Sequence, residues 1–199
     1  AIVIDRLASE LGVSHTPVRE ALVMLEHDAW VTMKTYENPR VAVVDAEYFC
    51  EAWDMRTLLE GWGINRATHT LTDEALEEME HKLALARQEA RQSRFDIHME
   101  TDMALHSMIL QAAGNKLYAR LAQLVSDQSI RARSLVEAIA SSEEVLQIID
   151  EHCALVEALR SRDPEAAHQS LIDHLQAGRQ RTLAALETMQ RRETSSKSR

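Results

Sequence analysis

Up to about residue 45 the apolar positions come in short groups; beyond it they recur every three to four residues to about residue 190. IDRLASEL, residues 4–11, reads as a short helix ended by Gly12, since glycine enters the left-handed conformation without steric cost. Ser14 stands where it can cap a second helix over 15–28, and Pro17 falls in that helix's first turn, where a missing N–H is harmless. WVTMK and RVAVV alternate or run β-branched on either side of TYENP, which predicts a small hairpin. Six longer helices follow, at about 46–69, 72–92, 95–113, 116–139, 142–161 and 164–190. Thr72, Ser142 and Asp163 are candidate N-caps, Pro164 opens the last helix, and Gly114-Asn115 separates the third of the six from the fourth. RRETSSKSR closes the chain without an apolar residue, so residues 192–199 are expected to be disordered.

The predicted fold is therefore mainly α. Helix, tight turn, helix and hairpin over 1–44 is the order of a winged helix-turn-helix, and 45–191 is an all-α six-helix bundle. Composition agrees: five glycines and three prolines in 199 residues favour helix, and 45% hydrophobic residues suffice for a core. No apolar run approaches the roughly 18 residues a membrane helix needs. No signal peptide is visible, and Cys50 and Cys153 have no metal or redox spacing, which fits a reducing cytoplasm. Ala1 lies inside what reads as structure, so a preceding segment is expected. The net charge of −10 argues against a wholesale nucleic-acid coat but leaves room for a small DNA-reading surface.

In a helix-turn-helix the second helix enters the major groove with its N-terminal residues toward base edges. Here those residues are Ser14, His15, Thr16 and Arg19, with Lys34 and Arg40 flanking the hairpin where a wing touches DNA backbone. Arginine reads guanine through two hydrogen bonds, and hydroxyls suit phosphates or bases. LASELGVSHTPVREALVMLEHDAWV closely resembles the DNA-binding signature of the GntR family of bacterial transcription regulators, above all in LGVS, TPVREAL and the following leucine. This chain departs from that pattern at His15, where the family often has arginine, at Ala29, where it usually has glycine, and in the wing turn Tyr36-Glu37-Asn38-Pro39, which usually contains glycine.

In the bundle, TDMALH places Asp102 and His106 one turn apart on a face shared with Met99, Ile109 and Ala113. His152 lies among Ile148, Ile149, Leu155 and Val156, and His174 is stacked over Leu171. Three helices thus turn ionisable groups toward a core. Burying isolated polar groups costs on the order of 1–3 kcal/mol each unless partners are found. A divalent metal would be a common partner for all four; three imidazoles and a carboxylate suit Zn²⁺, Ni²⁺ or Mn²⁺. His98 and His168 are expected at the surface or in supporting positions. Arg56, between Trp53 and Leu59, and Gln128 and Arg131, continuing the stripe Leu117, Leu121, Leu124, face apolar surroundings. A guanidinium there needs an anion: a carboxylate effector, or for Arg56 the ion pair with Glu60 one turn on and for Arg131 Glu137 or a neighbouring helix.

Residues 45 to about 190 resemble the all-helical effector domain of the FadR branch of GntR regulators, often called FCD. The matching pattern is Asp102-x3-His106, Gly114-Asn115, Glu151-His152 and Ala167-x3-Leu171-x2-His174, and six helices point to the shorter, VanR-like subgroup. The resemblance implies metal ligation by Asp102, His106, His152 and His174 and makes Asn115 a pocket candidate, whereas its place just past a helix end suits a turn cap. It also implies organic, sugar or fatty acids as effectors, a homodimer on operator DNA, and repression relieved by ligand. A metal-dependent hydrolase is the alternative, since such a site could activate water. It would need an open metal position and a placed base, and Glu151 points about 100° away from His152 on an ideal helix.

Overall fold

The computed structural model describes residues 1–28, 30–42, 46–137 and 140–197, apart from the side chains of 130–137 and 190–197. The chain divides into two units, Ala1–Asp45 and Ala46–Arg199.

The first unit contains α1 (Ile4–Leu11), α2 (His15–His27), β1 (Val31–Thr32) and β2 (Arg40–Val41). Gly12 ends α1 at φ 66°, with its N–H turned back to the carbonyls of Ala8 and Ser9. Ser14 occupies the N-cap position of α2, but its hydroxyl makes no capping bond. The strands pair antiparallel, with Val31 opposite Val41 and Thr32 opposite Arg40. Ala8, Val18, Leu22 and Val31 form the core, closed over by Ile2, Ile4, Leu7 and Met33.

The second unit contains six helices among its described residues: α3 (Ala46–Thr70), α4 (Asp73–Ala90), α5 (Asp96–Ala112), α6 (Lys116–Glu137), α7 (Ser142–Arg160) and α8 (Pro164–Lys197). α3 packs against α8, α6 and α5, α4 against α7 and α5, and α7 against α8. Leu76, Leu83, Leu105, Ile149, Leu155 and Leu171 are buried between them. Thr72 and Asp163 cap as expected: Thr72 Oγ1 accepts from Ala75 N, and Asp163 Oδ1 from the amides of Glu165 and Ala166. The cap of α7 is Ser141 rather than Ser142, because only Ser141 can form the reciprocal capping box with Glu144. α8 continues to Lys197, so helix runs through most of the segment expected to be disordered. Gly63 permits a close contact between α3 and α6. A Cβ there would collide with the Tyr118 hydroxyl, which donates to Leu59 O at 2.6 Å.

One expectation about α6 is corrected. Leu117, Leu121 and Leu124 are 68%, 50% and 55% exposed. The inward face of α6 instead carries Tyr118, Ala122, Ser126 and Ser129. Small and hydroxylated residues fit the close approach to α3, and the leucines stand on the neighbouring, outward face.

Candidate metal centre and nucleic-acid interface

Helical spacing puts Asp102 and His106 on adjacent turns of α5, and packing brings His152 of α7 and His174 of α8 to meet them. All four are buried. His152 Nε2 lies 3.3 Å from Asp102 Oδ1 and 3.3 Å from His174 Nε2, and His106 Nε2 lies 3.9 Å from Asp102 Oδ1. The four candidate ligand atoms are all within 4.8 Å of one another. Tetrahedral ligands on a metal at about 2.0–2.1 Å stand about 3.3 Å apart, so the spacing fits an ion. The hydrogen bonding points the same way. His106 Nε2 is buried with no hydrogen-bond partner. The residues therefore fit a divalent cation, which would supply Lewis acidity and a fixed positive charge.

Two carboxylates stand behind the imidazoles. His106 Nδ1 is 2.6 Å from Glu60 Oε2, and His174 Nδ1 is 2.9 Å from Glu151 Oε2. If each Nδ1 carries the proton and donates it to its carboxylate, the lone pair is left on Nε2, the atom facing the cluster. Each carboxylate is held by an arginine. Arg56 Nε donates to Glu60 Oε1 at 2.6 Å, and Arg181 donates from both terminal nitrogens to Glu151, each at 2.7 Å. Burial alone would raise both carboxyl pKa values. The Arg56 and His106 partners hold Glu60 far below the usual range, and hydrogen bonds from His174 and Arg181 bring Glu151 down to about 2. Burial lowers the pKa of His106, and burial together with neighbouring His152 lowers that of His174 well below its ordinary value. Both imidazoles are thus neutral near pH 7, the form that binds metal.

Arg56 forms the ion pair with Glu60 and also has an edge to spare. Its guanidinium lies 4.9 Å from the Trp53 ring centroid, and its Nη2 is buried without an acceptor. Its charge acts on both His106 and His174. Gln128 is half-buried on α6, and the Arg131 side chain lies outside the described residues. Asn115 is exposed, and its Oδ1 accepts from the amides of Leu117 and Tyr118, so it caps α6. His98 is buried, not at the surface, with its ring 6.1 Å from that of His152. His168 is half-buried against Gly61. Sequence reasoning missed the roles of Glu60, Glu151 and Arg181 behind the imidazoles. A signal existed for Arg181, about two turns beyond His174 on one helix face. For Glu151 the only signal was its place in the Glu151-His152 pattern, because it turns away from His152 and meets a histidine from another helix.

In the first unit Ser14, Thr16 and Arg19 are exposed at the start of α2, and His15 pairs with Asp5 of α1 at 3.3 Å. Lys34 and Arg40 are exposed on the hairpin. Of the unit's cations, Arg6 is neutralised by Glu10.

A helix-turn-helix with an exposed arginine at its second helix, in one chain with a bundle that gathers three imidazoles and a carboxylate, defines a regulator that joins a DNA reader to a small-molecule sensor. The chain belongs to the bacterial regulatory proteins of the gntR family: that family's model matches residues 3–37, and the FCD domain model matches residues 51–177. It is 26% identical over 188 residues to the HTH-type transcriptional repressor NanR of Cronobacter sakazakii, covering 85% of this chain and 71% of that protein. Among solved structures it resembles E. coli McbR/YncC, with a TM-score of 0.77, 23% identity, and coverage of 94% of this chain and 87% of the other. It also resembles the Zn²⁺-bound FCD domain of TM0439, with a TM-score of 0.61, 25% identity, and coverage of 74% of this chain and 99% of the other. The family is one of transcription regulators that bind operator DNA and small-molecule effectors, and the hydrolase alternative has no support from it. No helix among the described residues is long and apolar enough to cross a membrane.

Proposed function

We propose that this chain is a cytoplasmic transcriptional repressor that holds a divalent metal on Asp102, His106, His152 and His174 and leaves its operator when a small carboxylate binds beside the metal. The observation that carries the effector class is Arg56 Nη2, a buried guanidinium donor without an acceptor whose charge reaches two of the metal-facing imidazoles. A carboxylate could place one oxygen on the ion and the other on Arg56, charge-assisted at both ends. Gln128 and Arg131 of α6 are further candidates for its polar groups. Asn115, whose oxygen caps α6, has only its side-chain NH₂ left for the same role. Ni²⁺ and Mn²⁺ remain alternatives to Zn²⁺, which the similar TM0439 domain binds.

Operator reading falls to Ser14, Thr16 and Arg19, with His15 beside them and Lys34 and Arg40 on the wing. Two copies are needed to read two half-sites. The outward leucines of α6, Leu117, Leu121 and Leu124, lie on a helix packed against α3, which itself exposes Leu58 and Trp62. An apolar face of this kind, on a protein that must pair to function, is the surface assigned to the second copy.

The test is a thermal-shift panel of carboxylic acids on metal-loaded protein, read beside release of a bound DNA duplex. A carboxylate that raises the melting temperature and releases DNA, with both effects weakened by chelation, supports the reading. No shift across the panel would make the metal centre purely structural.

A further inference from the structure

Trp53, Arg56 and Glu60 follow one another at spacings of three and four on α3, so they share a face, and all three are buried. Glu60 holds one side of Arg56 through Nε, at 2.6 Å. Trp53 covers another: the guanidinium carbon lies 4.9 Å from its ring centroid. A planar guanidinium held at one nitrogen can still swing about that bond, and an aromatic ring against it stops the swing. The direction of Nη2, the buried donor without an acceptor, is then set before any ligand arrives.

The ring in turn is held from α8. Trp53 Nε1 donates to Leu175 O at 3.0 Å, which satisfies an N–H that burial would otherwise strand. Gly178 lets the indole close against α8, since a Cβ there would stand 3.1 Å from Trp53 Cζ2 and 3.3 Å from Cη2. Leu175 directly follows His174, so the turn of α8 that presents this imidazole also anchors the indole. We propose that Trp53 is a positioning residue for carboxylate binding: it fixes the plane in which Arg56 presents Nη2 to a carboxylate beside the metal. A donor fixed in this way loses little freedom when its ligand binds. Leucine would fill part of the same space but offers no negative face to the cation. This inference rests on the carboxylate-effector reading and adds to it the residue that prepares the arginine.

The experiment uses the full chain loaded with Zn²⁺ and acetate as the probe, titrated by chemical shift, with Zn²⁺ affinity and thermal melting measured beside it. Trp53→Leu should weaken acetate binding roughly three- to tenfold and leave Zn²⁺ affinity unchanged. Trp53→Phe keeps an aromatic face, so it should retain most of the acetate affinity even where the lost Leu175 bond lowers the melting temperature. Before acetate is added, ¹⁵N spectra should show two separate Arg56 Nη signals in wild type and Trp53→Phe, and one averaged signal in Trp53→Leu. Equal acetate affinity in wild type and Trp53→Leu would overturn the proposal, as would a single averaged Arg56 signal in wild type. If Trp53→Leu does not fold, the wild-type spectrum and the Phe variant still decide, and a Phe variant that loses acetate binding altogether overturns it. Either result leaves the carboxylate reading standing, whereas a wild-type chain that binds no acetate would overturn both.

Discussion

Replacing Glu60 by glutamine changes no volume and removes one charge, and the structure gives it two separable effects. Glu60 is 1% exposed and accepts from two donors, Arg56 Nε and His106 Nδ1, each at 2.6 Å. An amide offers one oxygen and one NH₂. If the oxygen keeps Arg56, the NH₂ faces His106 Nδ1, and the imidazole must shift its proton to Nε2 to accept. That proton then sits on the atom that faces the cluster. Loss of such an orienting carboxylate typically weakens metal binding 10–100-fold, or about 1.4–2.7 kcal/mol. The second effect falls on the metal-free fold. Arg56 becomes a buried cation without its counter-charge, a loss of roughly 3–5 kcal/mol. The double variant Arg56→Met/Glu60→Gln removes that cation, so it should regain much of the stability while still binding metal weakly. Zn²⁺ affinity by chelator competition, metal-free melting, and imidazole ¹⁵N shifts for the His106 tautomer measure the two effects independently. Zn²⁺ affinity within twofold of wild type, with the His106 tautomer unchanged, would refute the argument that Glu60 positions this ligand.

Changing His152 or His174 to alanine should lower both metal content, read by elemental analysis, and the melting temperature of metal-loaded protein, because ligation contributes to folding free energy. Gly63→Ala should destabilise by roughly 1–3 kcal/mol in denaturant unfolding, since Tyr118 must leave Leu59 O to make room. If the outward face of α6 is the proposed dimer surface, Leu121→Asp should give a monomer in light scattering while far-ultraviolet circular dichroism stays unchanged, because the residue is half exposed and outside the core. Arg19→Ala should cost roughly 1–3 kcal/mol of operator affinity in a gel-shift titration if the guanidinium reads a base.

Local chemistry was legible from the sequence where one element decides the outcome by itself. Gly12 had to end α1 because few residues but glycine enter φ 66° freely, and the spacing of Asp102 and His106 fixed them on one face of α5 whatever that helix met. The order helix, turn, helix, hairpin, followed by six long amphipathic segments, likewise sufficed for the fold class. Outcomes that depend on which face meets which were decided by packing. Periodicity marks an apolar stripe but not its direction, so Leu117, Leu121 and Leu124 read as core and stand in solvent, while Ser126 and Ser129 turn inward. Asn115 belongs with the local cases: it stands just before α6, and its oxygen accepts from the amides of Leu117 and Tyr118. Glu60 meets a histidine from another helix, and Glu151 does the same on the opposite side of the cluster. No spacing along one chain encodes such a meeting, because hydrogen bonds between helices depend on crossing geometry. That geometry is set by the whole bundle's packing at once.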